Sequence, residues 1–138
     1  MYDQVDHSAA TGRSAMKMER RVRRSHHTGL ALSMQLQACA ERSGVDAMIL
    51  ADGNGLVVAS SEWNDDATEH VAAQLSSVST HQFRVLTLQG AGMTRTVAAR
   101  GFRVGDQELV VGAVGRPTQD IVGEMYTAMG GVSRILAA

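Results

Sequence analysis

Asp52-Gly53-Asn54-Gly55 lies between two short apolar runs, and no other feature restricts the fold of this chain as tightly. Ala47 to Ala51 is a continuous apolar stretch, long enough for a strand buried on both faces and too short for a helix. Residues that tolerate positive φ in a tight turn follow, and Leu56 to Ser60 then returns. The pair reads as an antiparallel hairpin.

Other elements follow from periodicity on either side. Upstream, Leu32, Leu36, Cys39 and Ser43 step by four, three and four. That spacing predicts a helix over residues 30–43, stopped by Gly44. Downstream, Asn64, Asp65 and Asp66 precede a stripe of Val71, Leu75 and Val78. Asp66 with Glu69 resembles an N-cap and its capping-box partner, which opens a second helix. Phe83, Val85, Leu86 and Leu88 predict a third strand that loosens at Gly90-Ala91-Gly92. Thr94 to Val104 and Glu108 to Gly115 form a hairpin about Gly105-Asp106. Arg116 and Pro117 close the sheet, and Thr118 is placed as N-cap of a last helix. Its apolar face is Ile121, Val122, Met125, Met129, Val132 and Leu136. The expected fold is α+β, a five-stranded antiparallel sheet flanked by helices in the order α-β-β-α-β-β-β-α.

With 138 residues, one domain fits and two well-buried cores do not. The division expected is a basic, flexible leader over residues 1–29 and the folded domain over 30–138. The leader has six basic side chains against three acidic, and the rest seven against eleven. Its basic cluster at 13–24 suits an anionic membrane surface; without interleaved aromatics it does not favour nucleic acid. A single cysteine, no signal peptide and no membrane-length apolar run point to a cytoplasmic protein.

Constellations that carry chemistry are lacking. His26 and His27 are adjacent and diverge on a helix or strand, and no third ligand stands at metal spacing near Asp66 and His70. Cys39 falls on an apolar stripe, as an inert buried thiol does. The Asp52 turn lacks the closing glutamate of a calcium loop, and Gly90-Ala91-Gly92 lacks the lysine and helix of a phosphate cradle. The expectation is no catalytic residue, no metal and no cofactor. Gly130 and Gly131 inside the last helix cost about 1 kcal/mol each relative to alanine, which close approach of a strand or helix would offset.

The run Gly44-Val45-Asp46 into an apolar strand, followed by Asp52-Gly53-Asn54-Gly55-Leu56-Val57-Val58-Ala59-Ser60, resembles the opening hairpin of Roadblock proteins. The likeness continues in the order and lengths of elements to residue 138. It implies a bacterial, non-enzymatic signalling scaffold that forms homodimers or pairs with a paralogous Roadblock protein, and that regulates a Ras-like small GTPase. Dimers of this family join two sheets through the third strand and pack the second helix on its counterpart. That places His70, Gln74, Ser77, Arg84, Val85, Leu86 and Leu88 at the dimer interface. Trp63 and Arg95 are expected to bind the partner, tryptophan being enriched at binding hot spots. An apolar third strand at a sheet edge independently invites pairing with its own copy. The alternative is a small-molecule sensor domain with an enclosed apolar pocket.

Overall fold

The computed structural model describes the backbone of residues 8–90, 92–115 and 121–137, with side chains from His26 onward. Helix α1 (Ser8–Ser43) leads to β1 (Ala47–Asp52) and β2 (Val57–Ser60), and α2 (Asp65–Leu75) follows. Strands β3 (Phe83–Gly90), β4 (Met93–Val104) and β5 (Gln107–Val114) precede α3 (Ile121–Ala137). The strands form one antiparallel sheet in the order β2-β1-β5-β4-β3. This is the α+β architecture that the sequence predicts.

Strand β1 sits inside the sheet, so its apolar run supplies both faces at once. Met48 and Leu50 point to one side, where Leu109, Val111 and Phe102 meet Leu32 and Leu36 of α1 and Met125 and Val132 of α3. Ala47, Ile49 and Ala51 point to the other, where Val97, Val110 and Val114 meet Val71 and Leu75 of α2. On the first side α1 packs over β1 and β2, and α3 over β4 and β5. On the second, α2 packs over β1, β2 and β5.

The turns follow local chemistry. Asp52 accepts backbone N–H bonds from Asn54 at 2.9 Å and Leu56 at 3.0 Å, and Gly55 alone in that turn takes positive φ, at 83°. Gly44 ends α1 with φ at 69° and donates its N–H to the Ala40 carbonyl at 2.9 Å, as a left-handed cap does. Gly131 explains half of the glycine pair in α3: a Cβ there would stand 2.6 Å from Nε2 of Gln35 on α1. Gly130 meets only Arg134 of its own helix.

Three local expectations are corrected. Helix α1 begins at Ser8 and passes through Gly29, where a separation from the leader was expected. The 14–24 segment is rich in Ala, Met, Lys, Glu and Arg, and such helix formers carry a helix across one glycine at about 1 kcal/mol. Described side chains become buried from Leu32. Next, Asn64, not Asp66, caps α2, its side chain accepting the Ala67 N–H at 2.9 Å. The helix thus opens two residues before the Asp66–Glu69 pairing requires. Asn64→Ala is expected to cost about 1 kcal/mol, read as a lower urea midpoint at unchanged slope. Lastly, Val122 is 47% exposed, off the buried face of α3. Residues 1–7 and the placements at Arg116, Pro117 and Thr118 lie outside the described residues.

Candidate interaction surface

Strand β3 pairs with β4 alone and is an edge of the sheet. Hydrogen-bond alternation fixes which of its backbone groups are free. Gly101 N–H donates to the Gln82 carbonyl at 2.9 Å, so Arg84, Leu86 and Leu88, in step with Gln82, turn their backbone groups toward β4. Thr96, opposite Thr87, accepts from Gly115 of the β5 end at 2.9 Å and therefore faces away from β3. Phe83, Val85, Thr87 and Gln89 consequently present their N–H and C=O groups outward. Phe83 is 41% and Val85 56% exposed, and no bulge or proline interrupts the strand. Such an edge is a template for another strand.

Side-chain alternation divides the expected interface residues between the two faces. Arg84, Leu86 and Leu88 lie on the α2 side, and Val85 on the α1–α3 side. Leu86 is buried and belongs to the core beneath α2, while Leu88 is half-buried against it. His70, Gln74 and Ser77 are all exposed. Gln74 and Ser77 follow His70 by four and seven residues, on a stripe beside the buried Val71, Leu75 and Val78. Arg84 reaches from the strand to the Ser77 carbonyl at 3.4 Å, which ties the two parts of this surface together.

The expected partner-binding pair is in contact. The Arg95 guanidinium lies over the Trp63 ring, 5.3 Å from its centroid, and both side chains are half-buried. Arg95 separates two surface clefts. One, of about 310 Å³, is lined by Asp46, Trp63, Met93, Thr94, Thr96 and Gly115 among others. The second, of about 300 Å³, runs past Asn64, Asp66, Ala67 and His70 to Gly90. The His70 ring packs so close to Gly90 that a Cβ there would stand 3.1 Å from Nε2. A cation held over an indole beside open clefts can exchange that contact for one with a partner at little cost.

On the opposite face, a groove was not anticipated from the sequence. Phe83, Arg100, Val122, Met125, Tyr126 and Met129 line about 140 Å³ between β3 and α3. Val122 and Tyr126, four residues apart, form a second stripe on α3 beside the buried one. That offset is the signal that could have found it.

Elsewhere the chemistry is quiet. Burial pushes the Cys39 thiol above its ordinary range, with Arg42 pulling the other way, so the group stays protonated. Among the described residues no three His, Cys, Asp or Glu side chains stand together as a metal site, and no helix is long and apolar enough to cross a membrane.

Residues 32–98 match the family model of the Roadblock/LC7 domain. No protein of curated function matches the chain by sequence. Among solved structures, MglB of Myxococcus xanthus is similar at 14% identity over 78% of this chain and 89% of that one, with a TM-score of 0.55. The gliding protein MglB of Thermus thermophilus is 17% identical over 78% and 90%, at 0.54. A Roadblock/LC7 domain from Streptomyces avermitilis is 15% identical over 77% and 98%, at 0.56. At such identities the likeness speaks for the fold.

Proposed function

We propose that the chain, whose residues 32–98 match the Roadblock/LC7 domain, is a non-catalytic scaffold and regulator of that kind, and that it dimerises through β3 and α2 to bind a Ras-like small GTPase. One observation carries the reading: β3 is an edge strand with four consecutive outward-facing positions on alternate residues, none paired to another strand among the described residues. Antiparallel pairing of two such edges about a two-fold axis satisfies both strands with one operation. His70, Gln74, Ser77 and Arg84 then lie beside the axis on the α2 face, and Leu88 closes against the second copy. Val85 faces the same junction from the other side, and Leu86 supports the strand from beneath.

The GTPase would dock at Trp63 and Arg95, where an aromatic ring and a cation flank open clefts. Large aromatic and arginine side chains carry a disproportionate share of binding energy in such surfaces. The scaffold acts by holding the GTPase's loops, and its own residues supply no nucleophile or base.

The test is the mass of the chain in solution, alone and mixed with Ras-like GTPases in GDP- and GTP-analogue forms, followed by nucleotide hydrolysis. A dimer that forms a larger complex with a GTPase is expected. Trp63→Ala and Arg95→Ala should each weaken that complex at least about tenfold while the dimer's mass stays unchanged. A chain that stays monomeric at high concentration defeats the dimer, and failure to bind any Ras-like GTPase defeats the partner assignment.

A further inference from the structure

The face of the sheet opposite α2 has a numerical mismatch between helices and strands. Packed helices sit about 8–10 Å apart and neighbouring strands about 4.8 Å, so one helix laid on a sheet covers two strands. Helix α1 lies over β1 and β2 and α3 over β4 and β5, which leaves Val85 and Thr87 of β3 exposed on that face. A single strand is half a helix wide. Two β3 strands joined edge to edge, as in the dimer proposed above, place both strands between the α3 helices of the two copies. The result is a slot one helix wide.

The lining of that slot specifies its occupant. Phe83 is 41%, Val85 56%, Val122 47% and Tyr126 53% exposed, a continuous apolar strip along the wall and floor. One cation breaks it: the half-buried Arg100 guanidinium lies 5.6 Å from the centroid of the Tyr126 ring. Among the described residues its Nε is buried without a hydrogen-bond partner, and no carboxylate pairs with it. A buried donor left unsatisfied is costly, so an acceptor supplied from outside is favoured, and a carboxylate best matches a guanidinium. We infer that the paired sheets bind one amphipathic helix of a partner protein, apolar on the face that enters the slot and carrying a carboxylate toward each Arg100. The inference rests on the β3-paired dimer and is independent of the GTPase docking at Trp63 and Arg95.

The probe is a fluorescein-labelled peptide of about five helical turns, with leucines at i, i+4, i+7 and i+11 and glutamates flanking them on both sides. Its counterpart carries glutamine at those flanks. Fluorescence anisotropy should give one glutamate peptide per two chains, bound at least about tenfold tighter than the glutamine peptide. Arg100→Met should erase that difference, and the wild-type comparison of the two peptides requires no variant to fold. A wild-type chain that is a dimer dissociated by Thr87→Pro, yet binds both peptides equally, binds one per chain, or binds neither, overturns the slot and leaves the dimer standing. A monomeric wild-type chain overturns both.

Discussion

Gly101→Ala is expected to lower stability by about 3 kcal/mol, or roughly 10 °C in melting temperature for a chain of this size. The cause is backbone against backbone. A Cβ at Gly101 would run into the Ser79 carbonyl, with its carbon 2.7 Å and the Thr80 Cα 3.1 Å away. The opposing segment has little freedom to retreat. Thr80 bridges to Gly101, His81 donates to the Gly101 carbonyl at 2.8 Å, and Gly101 donates to Gln82 at 2.9 Å. His81 already holds a left-handed φ of 67°, unusual for a residue with a side chain. This segment delivers the chain from α2 into β3, so the substitution should also disturb the edge strand and weaken any assembly through it. Gly123→Ala is the contrast. Position 123 lies in α3 with nothing within 4 Å of a Cβ, so alanine there should stabilise by up to about 1 kcal/mol. Thermal and urea melts of the two variants check both signs. Equal melting for Gly101→Ala and wild type would mean that the close approach is not a constraint.

What was legible in the sequence was legible because it is local. Asp52 and Gly55 encode their turn within four residues, and Gly44 ends its helix through its own φ. The element order α-β-β-α-β-β-β-α follows from alternating punctuation and apolar runs. Quantities set by tertiary partners were less accessible. Nothing near Gly29 in sequence announces whether a helix will run through it, because one glycine costs about as much as a few good helix formers return. Asn64 and Asp66 both suit an N-cap, and the choice depends on how β2 delivers the chain to α2. In β3, the adjacent Val85 and Leu86 are both apolar, so hydrophobicity alone does not say which faces α2. The structure divides them, with Leu86 buried and Val85 56% exposed. Arg100 was one of several arginines by sequence, and only the fold places it alone between Phe83 and Tyr126.

Thr87→Pro is expected to dissociate the β3-paired dimer proposed above while leaving the protomer folded, with dimer dissociation raised at least about 100-fold. Proline removes a backbone donor and is tolerated in a sheet only where that donor faces away from the ladder. Thr87 meets that condition. It lies opposite Thr96, whose carbonyl is engaged by Gly115 on the far side of β4, so the Thr87 N–H points outward. The substitution therefore spares the β3–β4 ladder and places a ring without a donor on the edge that a second β3 would meet in the proposed dimer. Leu86→Pro, one residue away, has the opposite parity. Its N–H faces β4 and its side chain is buried beneath α2, so it should cost about 3 kcal/mol or more and destabilise the domain itself. Light scattering reports the mass, and far-ultraviolet circular dichroism with a thermal melt reports the fold. A folded Thr87→Pro chain at half the wild-type mass is the expected pair of results. The same mass for both chains, with the fold intact, would show that two copies meet elsewhere than along β3.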